Sequence, residues 1–417
     1  HAAVAAIAAE LAALENELNL LEIETRRADP QLAGLTDGIA LTSLQAQALL
    51  DADSVLLQYA LGSPTSYVFV VSRERIAVTK LADRATIEAG ARLALEDLAT
   101  LTPNGATAKL EALAELVLAP VASQLDKPRL LLALDGALHY VPFAALPVAG
   151  DAPAPLVARH DLVAVPSLSA VAAIPARGSS PAKTLAVIAD PVLTASDPRL
   201  HATPGLLAAA EPSPALLERS SLSARLERLL ATSYEAGALA ALVPAEQRLI
   251  ARGFDASRDT ILGAALDQYR YVHFATHGLV DARYPGLSAL ALSQFDAHGA
   301  QRNGFLRLHD IYNLRLDADV AVLSACETAL GRDIRGEGLV GLTQGFMYAG
   351  ARSVVASLWQ APDRATAELM TRFYRHLLQG ELRPAAALRR AQLELAAERR
   401  FADPYFWSGF VLIGDWR

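Results

Sequence analysis

One cysteine, Cys326, two methionines and an aromatic share of 6% are all that this 417-residue sequence holds of those residue types. A single thiol excludes an internal disulfide framework and a cysteine-rich zinc site, and it fits a reducing compartment, so a cytoplasmic location is expected. Long apolar runs are also missing. Hydrophobic residues reach 53%, but the excess is alanine and leucine spread among charges, and no stretch approaches the roughly 20 apolar residues of a spanning helix. Nor is there an excess of positive charge. The formal net charge of −8 favours solubility and argues against a broad nucleic-acid face, because neutralising phosphates takes clustered Lys and Arg. No membrane span and no direct nucleic-acid partner are expected.

What is present is a chain long enough for two domains with substantial cores, so more than one module is expected. Residues 2–27 carry Leu, Ile and Ala at three- and four-residue spacing and read as an amphipathic helix. The segments "SVLLQYALG" and "SYVFVVSRE" read as a hairpin, and helical sequence over about 85–125 precedes a buried-strand pattern, "PRLLLALDG". Proline, glycine and serine concentrate in "PARGSSPAK", residues 175–183, which marks the domain boundary. The expected units are therefore residues 1–38, a leading helix, 39–175, a first lobe, and 184–417, a second lobe. Residues 191–215 read as a loop or insert.

In the second lobe, apolar strands alternate with helices: "TLAVIADP", "RYVHFATH", "DVAVLSAC", "RSVVASLW" and a last strand, "GFVLIGD". That order predicts an α/β fold with a largely parallel sheet and helices on both faces. Gly350 and Gly380 stand where two helices should stop. In such sheets functional groups collect at the carboxyl ends of strands, here Asp190, His277, Cys326 and Trp359. Strict alternation puts His273, Ala275 and His277 in one row, and Val322, Ser324 and Cys326 in another. If the two strands are neighbours, imidazole and thiol meet above the sheet. A cysteine nucleophile needs a base and oxyanion donors. His277 supplies the first, and the backbone N–H groups of Gly278 and Cys326 the second. A helix starting soon after Cys326 would lower the thiol pKa.

Other chemistries fit less well. His273 and His277 have a zincin-like spacing but enclose "FAT", with no glutamate base, so no metal is expected. No G-x-S-x-G elbow is present, "GRDIRGEG" lacks a phosphate loop's G-K-S/T, and no cofactor is expected. Asp190 is either a pocket floor for a basic side chain or the cap of a turn before Pro191. Asp363 is a weaker pocket candidate, with helix capping the favoured reading. Trp359 either walls a pocket or packs.

"HFATHG", "LSACETALG", "RGEGLVGLTQGFMYAGARSVVASLW" and "PYFWSGFVLIGDW", in this order, resemble the CHAT domain, the caspase-like module found behind tetratricopeptide repeats in bacteria. The similarity extends upstream through "LLLALDGALHYVPFAAL". It implies a caspase-like three-layer fold and a cysteine peptidase related to separase and gingipain, with His277 and Cys326 as the dyad. Their separation of 49 residues is close to the roughly 50 of a caspase-type pair. The resemblance makes residues 39–175 a pseudo-caspase lobe and the leading helix the end of a repeat array. A protein substrate is implied, with activity switched by a regulatory protein or by an upstream tetratricopeptide region. The alternative is a catalytically silent docking scaffold. Caspases proper carry Q-A-C where this chain has Ser324-Ala325-Cys326, so specificity for aspartate does not carry over. Ala329 replaces a glycine common in the family. Glu327 and Glu337 are assigned to loop support.

Overall fold

The structure is a computed structural model that describes residues 41–99, 105–148, 154–174, 181–201, 226–279, 287–327, 337–359 and 362–417; for residues 99, 105, 106, 201, 325–327, 337–340 and 363 it describes the backbone alone. The leading segment 1–38, residues 175–180 of the boundary and the insert beyond residue 201 fall outside the described residues.

The first half of the chain forms α1 (Ser43–Leu49), β1 (Ser54–Ala60), β2 (Ser66–Val71), β3 (Ile76–Leu81), α2 (Arg84–Ala99), α3 (Gly105–Val117), β4 (Arg129–Ala133), β5 (Pro147–Val148), β6 (Ala154–Pro155), β7 (Asp161–Ala164) and α4 (Leu168–Ala172). The second forms β8 (Lys183–Pro191), α5 (Pro198–His201), α6 (Leu230–Ala240), β9 (Arg248–Gly253), α7 (Arg258–Gly263), β10 (Tyr269–Leu279), β11 (Ala289–Ala291), β12 (Phe305–Arg307), α8 (Leu308–Tyr312), β13 (Val320–Glu327), α9 (Glu337–Tyr348), β14 (Ser353–Ser357), α10 (Asp363–Leu378), α11 (Pro384–Ala396) and β15 (Phe410–Gly414).

One continuous sheet runs through both halves in the order β3-β2-β1-β4-β7-β15-β14-β13-β10. Beyond β10 it continues two ways: β8 and then β9 lie along Tyr269–Ala275, while β11 and β12 take over at Gly278 and Leu279. The strands β9, β8, β10, β13 and β14 are mutually parallel, as are β1, β4 and β7. Antiparallel additions lie at both ends, β2 and β3 at one and β11 and β12 at the other. A further antiparallel strand, β15 beside β14, joins the halves through Ile413 and Ala164. Arg389 on α11 reinforces this seam by donating to the carbonyls of Val157 and Ala158, each at 2.8 Å. The mostly parallel, helix-flanked α/β architecture expected from the sequence is the one observed.

Helices cover both faces where the strands are apolar on both. In the second half, α9 lays Phe346 against Phe274, with ring centroids 5.3 Å apart, while α6 and α10 cover the opposite face. Val320, Val322, Val354 and Val355 are fully buried between them, each contributing roughly 1.5–3 kcal/mol of burial. Gly350 follows α9 with φ +113, where an added Cβ would stand 2.0 Å from the Leu316 carbonyl oxygen; no other residue type fits. Gly380 follows α10 as expected, but the left-handed residue there is Glu381, at φ 50.

Candidate active site

The site is built where β8 leaves the sheet. β8 accompanies β10 as far as Ala189 opposite Ala275. Asp190 then turns into the left-handed region, at φ 49, and the register with β9 shifts. β11 takes the vacated edge, pairing Leu290 with Gly278, and the Thr276 hydroxyl donates to the Ala291 carbonyl. On its other side β10 stays with β13, but the register shifts between Phe274 and His277, bringing His277 opposite Ala325 and Gly278 opposite Cys326. β10 absorbs one extra residue there, as a bulge does. The unbroken row of His273, Ala275 and His277 expected from strict alternation therefore ends at Phe274. His277 and Cys326 still occupy neighbouring carboxyl ends, one step out of register. The side chains of Cys326, Glu327 and Glu337 lie outside the described residues; Glu337 is the first residue of α9.

His277 is buried, and its Nε2 is 2.7 Å from the carbonyl oxygen of Glu227. A carbonyl only accepts, so Nε2 carries the hydrogen, and in the neutral ring Nδ1 is left as the basic nitrogen. Glu227 belongs to residues 226–229, which lead into α6. Its neighbour Arg228 grips Asp190 at two points, Nε to Oδ1 at 2.7 Å and Nη2 to Oδ2 at 2.7 Å. Arg199 adds a third contact, Nη1 to Oδ2 at 3.1 Å, and donates to the carbonyls of Asp190 and Pro191. Arg199 in turn pairs with Asp197 at 2.6 Å. Burial pushes the Asp197 carboxyl up, yet its hydrogen bonds and charge pairing with Arg199 hold it below the usual carboxylate range, and hydrogen bonding to Asp190 raises the Arg228 guanidinium.

Neither expectation for Asp190 describes this arrangement. Its carboxylate is 4% exposed and held between two arginines, so a substrate cation reaches it only by displacing Arg228.

Beneath the strand ends lies a buried polar cluster. The Ser324 hydroxyl donates to Glu235 Oε1 at 2.9 Å, and His273 Nε2 is 2.9 Å from the same oxygen, though not aligned for a hydrogen bond with it. His273 Nδ1 is 3.3 Å from the Tyr374 hydroxyl. Burial raises the Tyr374 pKa well above its ordinary value, and the nearby Glu235 and Tyr271 add to the effect. Glu235 on α6 thus ties β10 to β13, four residues before His277 and two before Cys326. A carboxylate this deep persists only with partners.

Trp359 packs. It is buried, its Nε1 donates to the Tyr405 carbonyl at 3.1 Å, and its ring stacks on Tyr405 with 9° between planes. Gly409 makes room for it, since an added Cβ would stand 2.8 Å from the indole. Asp363 is the first residue of α10 and Pro362 is the N-cap, with no side-chain cap bond, so the helix begins at the expected cap residue itself, one residue earlier than expected. The helix expected soon after Cys326 is described only from Glu337 onward. Among the described residues no group of three or more His, Cys, Asp and Glu is arranged to hold a metal, and no helix is long and apolar enough to cross a membrane.

A family model described as "CHAT domain" matches residues 107–415. Mouse (Mus musculus) tetratricopeptide repeat protein 28 is 28% identical over 348 residues, which is 73% of this chain and 13% of that protein. Its human (Homo sapiens) counterpart is 34% identical over 106 residues, 25% of this chain and 4% of that protein. The chain thus spans a small part of the curated relatives it matches. Similar solved structures include Saccharomyces cerevisiae separase in its complex with securin, at a TM-score of 0.45 and 10% identity over 94% of this chain and 31% of that chain. The Arg-specific cysteine proteinase gingipain R is similar at a TM-score of 0.40 and 8% identity, over 80% of this chain and 73% of that chain.

Proposed function

From the premise that this chain belongs to the CHAT-domain family, we propose that it is a caspase-like cysteine endopeptidase acting on a protein substrate. The observation that carries the reading is the adjacency of β10 and β13, with His277 and Cys326 at their carboxyl ends. His277 takes the Cys326 thiol proton and the sulfur attacks the scissile carbonyl. The tetrahedral oxyanion is held by backbone N–H groups of Gly278 and Cys326. Collapse expels the amine, which receives its proton from His277, and water then hydrolyses the thioester. Residues 184–417 act as the active lobe and 39–175 as its support.

Gly278 is paired on one side with Leu290 and on the other with Cys326, so its oxyanion role requires its N–H to turn out of these ladders. Activity is switched by a partner protein or by a tetratricopeptide region upstream. The same two-sided pairing favours a second reading, a docking scaffold that no longer cuts. A profiling peptide library separates the two. Cleavage by the wild type and none by Cys326→Ala is expected; no cleavage by either, with and without upstream repeats, leaves the scaffold.

A further inference from the structure

Residues 226–229 belong to neither helix nor strand, yet the Glu227 carbonyl is the group that His277 Nε2 reaches. Something other than a ladder must hold that carbonyl still. The adjacent residue does so: a two-point bond between a planar guanidinium and a carboxylate fixes orientation as well as distance, and Arg228 makes one to Asp190 with both contacts at 2.7 Å. Asp190 is itself locked in a left-handed conformation, uncommon for a residue with a Cβ. Arg199 takes the carbonyls on either side of this bend while anchored on Asp197. The cluster stands where β8 has left β10, so these ion pairs replace the hydrogen bonds that the sheet no longer supplies.

We propose that Asp190 and Arg228 are positioning residues: their ion pair sets the Glu227 carbonyl so that His277 is held as the Nε2–H tautomer, with Nδ1 left as the base. The catalytic meaning of this brace rests on the peptidase reading; the tautomer does not. The brace also explains why a strand-end acid that resembles a pocket floor is closed to solvent.

The test is carried out on the full chain with wild type, Arg228→Ala, Arg228→Lys and Asp190→Asn, using long-range proton–nitrogen NMR of the His277 ring assigned by its loss in His277→Gln. Iodoacetamide labelling of Cys326 is followed alongside. The wild type shows one tautomer, protonated at Nε2. In the variants that signal broadens or splits, and labelling slows by about 10- to 100-fold, the scale of a misplaced catalytic group. Lysine keeps the charge but loses the two-point bond, so Arg228→Lys falls with Arg228→Ala. If Arg228→Ala does not fold, Arg228→Lys and Asp190→Asn carry the comparison.

An unchanged tautomer in every folded variant overturns the proposal. So does labelling that accelerates, which would make residues 226–229 a plug over the site. A shifted tautomer with wild-type labelling indifferent to His277 keeps the brace and sinks the peptidase reading. His277-dependent labelling with an unmoved tautomer does the reverse.

Discussion

The two halves of the sheet end their strands in related ways. In the first half Asp135 stands just past β4, where its carboxylate accepts the Leu61 N–H at 2.7 Å and pairs with Arg84 at the start of α2. In the second half Asp190 stands at the end of β8 and pairs with Arg228 and Arg199. Both acids stitch a strand end to the segment beside it. Beneath them the halves part. The strand residues nearest Asp135 are apolar, with Leu130, Leu131 and Leu132 beside Leu56 and Leu57, all buried. Those beside Asp190 carry His273 and Ser324, joined through Glu235. An acid and an arginine at a strand end are thus a structural device common to both halves. The linked cluster of Glu235, His273 and Ser324 belongs to the second half, and the proposed chemistry is assigned there.

This contrast can be broken by substitution. Glu235→Ala leaves the buried Ser324 hydroxyl and His273 without their shared neighbour and should cost about 1–3 kcal/mol for each group left unpaired, with loss of Cys326 labelling; urea unfolding measures the first. Leu131→Ala in the apolar half should cost about 2–5 kcal/mol by cavity formation and leave the per-molecule labelling rate of the folded protein unchanged. Asp135→Asn is a smaller change. The side chain is a third exposed, and with solvent screening its loss should cost about 1 kcal/mol.

The smallest expected effect is on acid stability. The folded-state pKa of Asp197 lies below its ordinary 3.8, so its stabilisation is fully present above that value and is lost as pH falls through the folded value. The contribution of Asp197 to the melting temperature should therefore be independent of pH near neutrality and be lost below about pH 4, with a lower neutral-pH value and a shallower acid drop in Asp197→Asn. A drop of equal slope in both proteins would remove Asp197 from the account.

Much of this was legible in the sequence because it depends on side-chain pattern. The runs containing His273 and Ser324 are apolar and β-branched, and they do lie side by side as parallel strands. The hairpin of β1 and β2 follows from two β-rich segments joined by the short "SPT", and the stop at Gly350 from a position only glycine occupies. Other features depend on partners that a single chain pattern does not name. Glu235 sits among small residues in "TSYEAGALA" and reads as any helical acid until His273 and Ser324 face it. Glu227 acts through its main-chain carbonyl while its side chain is exposed, so no residue type encodes that role. Asp190 and Trp359 are correctly found at strand ends, but whether such a group faces a ligand or its own chain is decided by Arg228 in one case and Tyr405 in the other. The bulge above Phe274 escapes alternation because one added residue leaves composition unchanged. β7 is too short, and β9 too exposed, to show a period.

The proposed peptidase chemistry requires that His277 activate Cys326. Its most direct measurement is the second-order rate of Cys326 modification by a peptidyl electrophile in wild type and in His277→Ala, with and without the upstream repeats. The only thiol in the chain makes the site of modification unambiguous. The wild-type rate should exceed that of free cysteine and fall about 100-fold or more without the imidazole. Equal rates in the two proteins, at the level of free cysteine under both conditions, would contradict it.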